Sequence, residues 1–140
     1  MNLGVTGSRN GITDAQRGWL STRVGFADVL HHGACIGADE DSHYTALELG
    51  VFIVVHPPIK DKYLMYLGYD IPDDHPGVLW RAAKEYLARD RDIVDETERL
   101  IALPDGPERR GSGTWYTINY ARNAGKDVDI CFPSGKLLKY

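Results

Sequence analysis

Short apolar runs alternate with amphipathic stretches along the chain, a pattern typical of an α/β domain. Apolar runs predict strands at 2–6, 27–31, 51–55, 99–103 and 128–132. Helical spacing of apolar residues predicts helices at about 13–24, 39–49, 81–97 and 114–124. Thr13 and Gln16 have the form of a capping box that opens the first of these helices. The order of elements therefore alternates strand and helix.

This alternation predicts a Rossmann-like, doubly wound and mostly parallel five-stranded sheet of order 3-2-1-4-5, with residues 1–140 as a single domain. Val51 to Val55 is apolar throughout, as expected for a strand buried on both faces of a parallel sheet. In this order the chain reverses direction between strands 1 and 4. The loops that follow those strands then meet at the carboxyl edge, where such folds bind ligands.

Composition narrows the class of protein. The chain has 140 residues, 43% hydrophobic and 26% charged, which is ordinary globular usage. No apolar run approaches the roughly 20 residues of a membrane span, and the N-terminus lacks a secretion signal, so we expect a cytoplasmic protein. A net charge of −4 weighs against broad nucleic-acid binding, which needs a basic face.

Three glycine loops follow predicted strands: Gly7-Ser8-Arg9, the stretch from Gly33 to Asp39, and Pro104 onward through Gly111-Ser112-Gly113-Thr114. The last leads into a helix, whose first-turn N–H groups favour a phosphate. The alternative for this loop alone is a glycine-rich turn with Thr114 as helix cap. Three such loops at one edge are better explained by a phosphate-binding site than by three unrelated glycine-rich turns.

Charged residues beside these loops complete the candidate site. Arg9 is placed to pair with a phosphate, and Arg109 and Arg110 could close on the same anion. Only one of Arg89 and Arg91 can face the site from a helix. Asp39 suits a ribose hydroxyl, or general-base work, or simply capping of the second helix. The predicted ligand-binding residues are Gly7, Ser8, Arg9, Gly33, Gly37, Asp39, Arg89, Pro104, Arg110, Gly111, Ser112, Gly113 and Thr114.

Neither a metal nor a cofactor is predicted. His31, His32, Cys35 and His43 match no common zinc spacing, and His31 and His32 would point to opposite faces of a strand. Cys35 and Cys131 are too few for a disulfide scaffold. His56 is a weaker candidate for the site, and Trp115 could either stack on a base or pack against the sheet.

Several motifs together resemble the SLOG superfamily, which includes the LOG phosphoribohydrolases, the Smf/DprA proteins and small YspA-like and phage-borne members. The motifs are GSR at 7–9, HHGACIGAD at 31–39, HPP at 56–58, YLARDRDIVDET at 86–97, LIALP at 100–104 and RGSGTW at 110–115. They look closest to the YspA-like branch. The resemblance implies a Rossmann-like domain that binds a nucleotide or nucleotide-derived molecule, often as an oligomer.

One position departs from the LOG pattern, PGGxGTxxE, in which the glutamate serves cleavage of an N-glycosidic bond. Thr117 stands in its place, and a hydroxyl cannot replace a carboxylate in that role. Binding of a nucleotide-derived ligand is therefore the first functional hypothesis. The alternative is a nucleoside 5′-monophosphate N-glycosidase that uses Asp39, or less readily Asp105. DNA binding of the DprA kind comes third.

The stretch from Ile59 to Trp80 has no clear periodicity and is broken by prolines and glycines. A long irregular stretch in a compact domain is usually functional, so it could be a lid, a partner surface or a variable loop. Its Tyr, Leu, Met and Trp side chains are types that interface cores favour. We expect a homo-oligomer with this stretch, from Tyr63 to Trp80, near the interface and the ligand site.

Overall fold

A computed structural model describes residues 1–60, 64–65 and 75–140. Its strands are β1 (Asn2–Gly7), β2 (Val29–His32), β3 (Phe52–Val55), β4 (Val78–Trp80), β5 (Arg99–Leu103), β6 (Asp127–Cys131) and β7 (Leu137–Lys139). Its helices are α1 (Asp14–Val24), α2 (Ala38–Leu49), α3 (Tyr86–Asp95) and α4 (Gly113–Asn123). The predicted helix at 81–97 is thus shorter than expected. Within the described residues, no helix has the length and apolar character needed to cross a membrane.

The strands form one sheet of order β4-β3-β2-β1-β5-β6-β7. All neighbours are parallel except β7, which is antiparallel to β6. The prediction of a mostly parallel α/β sheet is confirmed. The prediction of five strands in the order 3-2-1-4-5 is wrong, because β4 and β7 each add a strand at an edge. Both are three residues long, too short to give a periodic signal.

Two helix layers cover the sheet. Leu20 and Val24 of α1 and Ala46 of α2 belong to one buried cluster with Leu3, Val5 and other sheet residues. Val94 of α3 and Ile118 of α4 belong to a second cluster. Thr13 caps α1 with the capping box that the sequence predicts. The arrangement leaves the carboxyl edge of the parallel strands between the two layers.

Two glycines allow the loop after β1 to touch the start of α2. Gly37 has φ +87°, and a Cβ there would lie 2.1 Å from the carbonyl oxygen of Ser8. A Cβ on Gly7 would lie 2.4 Å from the Cβ of Ala38. The backbone N–H of Ala38 donates to that Ser8 carbonyl at 3.0 Å. Close backbone contact thus joins two of the three glycine loops.

Buried histidines lie on both faces of the sheet, as the alternation of His31 and His32 predicts. Nδ1 of His31 faces Nε2 of His56 at 2.9 Å, and Nε2 of His32 faces Nδ1 of His43 at 2.8 Å. Burial lowers the pKa of His31, His43 and His56 to about 4 each. Burial also lowers the pKa of His32 well below its usual range. All four imidazoles are therefore neutral near pH 7.

The stretch from Ile59 to Trp80 is only partly within the described residues. Val78–Trp80 forms strand β4, so the prediction of a wholly irregular stretch is wrong at its end. Tyr63, Tyr66 and Tyr69, on which the expectation of an oligomer interface rests, lie outside the described residues.

Replacing Gly37 with alanine should cost at least about 2 kcal/mol of unfolding free energy, because the new Cβ meets a backbone oxygen and the positive φ disfavours any side chain. Gly18→Ala is the matched control. A Cβ on Gly18 meets nothing within 4 Å, and helical alanine stabilises by about 1 kcal/mol over glycine. Urea unfolding measures both variants. Equal stability of the Gly37→Ala protein and the parent would contradict this packing.

The buried histidines should make the fold sensitive to acid. Their pKa values are lower in the folded than in the unfolded chain, so their stabilising effect is complete above pH 6.5 and is lost as pH falls toward 4. Together they should contribute a few kcal/mol over this window, because His31 and His56 are in contact and do not titrate independently. Urea unfolding should give equal stability at pH 7.5 and 6.5 and a steady fall from pH 6.5 through 5.5 to 4.5. Unchanged stability between pH 6.5 and 4.5 would count against this account.

Candidate functional site

A cleft of about 280 Å³ lies at the carboxyl edge of the sheet, between the loop after β1 and the N-terminal end of α4. β1 and β5 pair in parallel with Gly7 opposite Leu103, and the N–H of Ser8 donates to the Leu103 carbonyl at 3.0 Å. The loops that follow these two strands therefore begin side by side. Most of the predicted site residues line the cleft: Gly7, Ser8, Arg9, Asp39, Arg89, Gly111, Ser112, Gly113 and Thr114.

The N-terminus of α4 forms one wall of the cleft. Ser112 is the N-cap, and its hydroxyl accepts from the N–H of Trp115 at 3.2 Å. The alternative in which Thr114 caps the helix is therefore wrong. Gly113 and Thr114 lie in the first turn, where N–H groups have no acceptor within the helix. This wall has the donors and the dipole that favour an anion.

Four predicted site residues do not line the cleft. Gly33 and Gly37 instead make room for it: a Cβ on Gly33 would lie 2.2 Å from Nη1 of Arg89. The carbonyl of Pro104 accepts from Nε2 of Gln16 at 2.8 Å, which ties the loop to α1. Arg110 lines a shallower neighbouring depression, whereas Arg109 lines both.

The floor of the cleft is built around a buried guanidinium. Arg89 is 5% exposed, and its Nε lies 2.7 Å from Oδ1 of Asp90. Its Nη1 donates to the carbonyl of Gly33 and, at 3.4 Å, to the carbonyl of His56. Arg91 instead points away and donates to the hydroxyl of Tyr116 at 3.0 Å. Of these two arginines, Arg89 lines the cleft and Arg91 does not.

Two carboxyl groups flank this guanidinium. Burial raises the pKa of Asp39 to about 6, although Arg89 and the N–H of Cys35, which donates at 3.2 Å, oppose the rise. Burial also raises the pKa of Asp90, against the opposing effects of Arg89 and Thr117. Gly37, not Asp39, is the N-cap of α2, so the capping interpretation of Asp39 is wrong. Both carboxyl groups line the cleft.

Thr117 occupies the position where the LOG pattern has its glutamate. It is 1% exposed, and its hydroxyl donates to the Gly113 carbonyl at 2.8 Å. The Thr117 hydroxyl is also within hydrogen-bonding reach of the Asp90 carboxyl group. A carboxyl group therefore does reach this part of the cleft, but from α3 and not from α4.

The cleft is also lined by residues outside the predicted set, namely Val5, Thr6, Asn10, Cys35, Tyr86, Leu87, Asp90 and Ile93, and by the further candidates Asp105 and Arg109. Among them, Arg109 pairs with Asp105 at 2.5 Å, and Nδ2 of Asn10 donates to Asp105 at 3.2 Å. Hydrogen bonds from Arg109 lower the pKa of Asp105 despite slight burial. The position of Asn10 directly after Gly7-Ser8-Arg9 is a signal that could have found it.

Trp115 and His56 lie outside the cleft lining. Trp115 is 5% exposed, packs near Phe132 and donates from Nε1 to the Gly106 carbonyl at 3.3 Å. The ring is therefore packed within the protein, and it also borders the depression beside the cleft. Among the described residues, the donor atoms that could hold a metal ion come from His31, His56 and Glu96. His31 and His32 lie on opposite faces of the sheet, where they contact His56 and His43 respectively.

The cleft carries balanced charge. Arg9, Arg89 and Arg109 line it together with Asp39, Asp90 and Asp105. Arg89 and Arg109 already pair with carboxylates. A ligand that suits such a surface has an anionic group for the α4 wall and hydroxyl or amino donors for the buried carboxylates.

No family model matches the chain, and no curated protein matches it. Its structure is similar to the molybdenum cofactor binding protein from Rippkaea orientalis, with a TM-score of 0.65 at 19% identity, covering 94% of this chain and 76% of that one. It is also similar to TM1055, a structural genomics target, with a TM-score of 0.60 at 18% identity, covering 91% of this chain and 71% of that one.

A third similar structure is the DNA processing protein A (DprA) from Streptococcus pneumoniae, with a TM-score of 0.68 at 19% identity. The match covers 92% of this chain but 49% of that one, so this chain corresponds to about half of DprA. These similarities show that the chain shares the fold of these proteins.

Proposed function

We propose that this chain binds a nucleotide or a nucleotide-derived small molecule in the cleft at the carboxyl edge of the sheet. The observation that carries the proposal is the juxtaposition of the α4 N-terminus with the Gly7-Ser8-Arg9 loop, opposite two buried carboxyl groups. The phosphate would lie on Gly111 to Thr114 and Arg9. The hydroxyl groups of a ribose would lie toward Asp39 and Asp90.

The similar structures support a small-molecule site in this fold. The similar structure from Rippkaea orientalis is a molybdenum cofactor binding protein. DNA binding remains the weaker hypothesis, because the net charge of −4 disfavours a strand-tracking groove. A homo-oligomer, expected from the aromatic stretch, is part of the proposal.

A second candidate function is hydrolysis of the N-glycosidic bond of a nucleoside 5′-monophosphate. It is favoured by Asp39, whose pKa of about 6 suits a group that exchanges protons near neutral pH, and by Asp90, whose pKa is also raised by burial. In this reaction the carboxyl group gives its proton to the leaving base, water attacks the anomeric carbon and returns a proton to the carboxylate, and ribose 5-phosphate and free base are released. Asp90 then replaces Asp105 as the second candidate beside Asp39 in this hypothesis.

Arg9→Ala should weaken ligand binding about 10- to 100-fold, because a charge-assisted hydrogen bond contributes about 1.5–3 kcal/mol. Thermal shift with nucleoside monophosphates, cyclic nucleotides and ADP-ribose finds the ligand, and calorimetry gives its affinity. Arg91→Ala removes the same charge outside the cleft and should leave affinity within about twofold. Failure of every compound to stabilise the parent, or equal binding by both variants, would refute the proposal.

Asp39→Asn and Asp90→Asn should each abolish any release of free base if the second function holds, because the amide cannot supply the proton. Chromatography after incubation with a panel of nucleoside 5′-monophosphates detects the base. Asp92→Asn is the control, since that carboxylate pairs with Lys84 at 2.6 Å outside the cleft. Binding without base release by the parent would leave the chain as a binding protein.

A further inference from the structure

Three potential metal ligands meet beneath the C-terminal end of α3, outside the cleft lining. His31 comes from β2, His56 follows β3 directly, and Glu96 is the C-cap of α3. One ligand atom from each lies within 4.8 Å of the other two. Two imidazoles and a carboxylate are a common ligand set for zinc.

The contact between the two imidazoles involves only one nitrogen of each. Nδ1 of His31 and Nε2 of His56 are 2.9 Å apart, and both rings are buried. Nδ1 of His56 faces Oε2 of Glu96 at 3.8 Å, which is too long for a hydrogen bond. The Glu96 carboxylate therefore lies beside the His56 ring without a hydrogen bond to it.

A neighbouring arginine orients the carboxylate. Nη2 of Arg81 lies 2.6 Å from Oε1 of Glu96, which leaves Oε2 directed at His56. Such outer contacts commonly hold metal ligands in place. The charges acting on the two imidazoles include the acids Asp92 and Glu98 as well as the cations Arg81 and Arg89. The surroundings are thus of mixed sign.

The second histidine pair shows what a purely structural contact looks like here. The N–H of Ala34 donates to Nδ1 of His32 at 3.0 Å, so the proton of that neutral ring is on Nε2. Nε2 then donates to Nδ1 of His43 at 2.8 Å. Both facing nitrogens are occupied, and no carboxylate of the described residues completes a ligand set with this pair.

We propose that His31, His56 and Glu96 bind a divalent transition metal ion, for which zinc is the best fit, with water completing the coordination. The facing nitrogens, Nδ1 of His31 and Nε2 of His56, would hold the ion. They need to separate by a few tenths of an ångström, because nitrogens on a tetrahedral zinc lie about 3.3 Å apart. The ion would fasten the C-terminal end of α3 to β2 and β3. This site is independent of the ligand proposed for the cleft.

Zinc chloride titration of the full chain, after removal of metals with a chelator and dialysis, tests the proposal. Competition with a chromophoric chelator gives the affinity, and the visible absorption of bound cobalt reports the coordination. The parent should bind one ion per chain. Glu96→Gln and His56→Gln should each weaken zinc at least about tenfold, since even outer-shell losses cost that much.

Two control variants distinguish the loss of a metal ligand from the loss of a nearby charge and from the loss of a buried histidine. Glu98→Gln removes the same charge two residues away, and His43→Gln alters the other histidine pair; both should bind zinc within about threefold of the parent. Glu96 lies at the surface, so if His56→Gln fails to fold by circular dichroism, Glu96→Gln alone decides. No zinc bound by the parent, unchanged affinity in Glu96→Gln, or equal loss in a control variant would overturn the site.

Discussion

One buried guanidinium ties together the loops at the carboxyl edge of the sheet. Arg89 reaches from α3 to the carbonyl that follows β2 and to the carbonyl that follows β3, while its own neighbour Asp90 neutralises it. Burial of a lone guanidinium would cost several kcal/mol, so these acceptors are a requirement of the fold and not an addition to it. The absence of a side chain at Gly33 leaves the space that the guanidinium fills.

The same interaction sets the electrostatics of the cleft. Burial alone would lower the pKa of Arg89, but Asp90 and Asp39 reverse the effect and raise it. Because the arginine remains charged, the two carboxyl groups can be buried beside it at a tolerable cost. The cleft therefore combines acidic groups on its floor with helix N–H groups on its wall, and a ligand with one anionic end and several donors matches both.

The sequence predicts the parts of this site that depend on topology. Once the strands alternate with helices, the glycine loops after β1 and β5 must meet, and Gly7, Ser8, Arg9 and Gly111 to Thr114 do line one cleft. Whether Asp90 lines the cleft depends instead on the rotation of α3 about its axis, which the spacing of apolar residues defines only coarsely. Cys35 and Tyr86 enter through contacts between distant segments, which no local pattern encodes.

Edge strands escaped prediction for a related reason. β7 consists of exposed residues and is held by pairing with β6 alone, so it has no inward face and no alternation of polarity. His31 and His32 show the opposite case, because a two-residue alternation within a central strand was enough to assign them to different faces. The alternation of polar and apolar residues predicts a strand where one of its faces is buried. It predicts nothing where both faces are exposed.

The floor and the rim of the cleft differ in how tightly their residues are packed. On the floor, Gly7, Gly37 and Gly33 allow contacts so close that any larger residue would displace backbone or the buried arginine. On the rim, Asp105 and Arg109 form an exposed pair that any number of polar residues could replace. Substitutions that change ligand preference can therefore accumulate on the rim without cost to folding, so descendants of one ancestral chain could acquire different ligands while the floor stays the same.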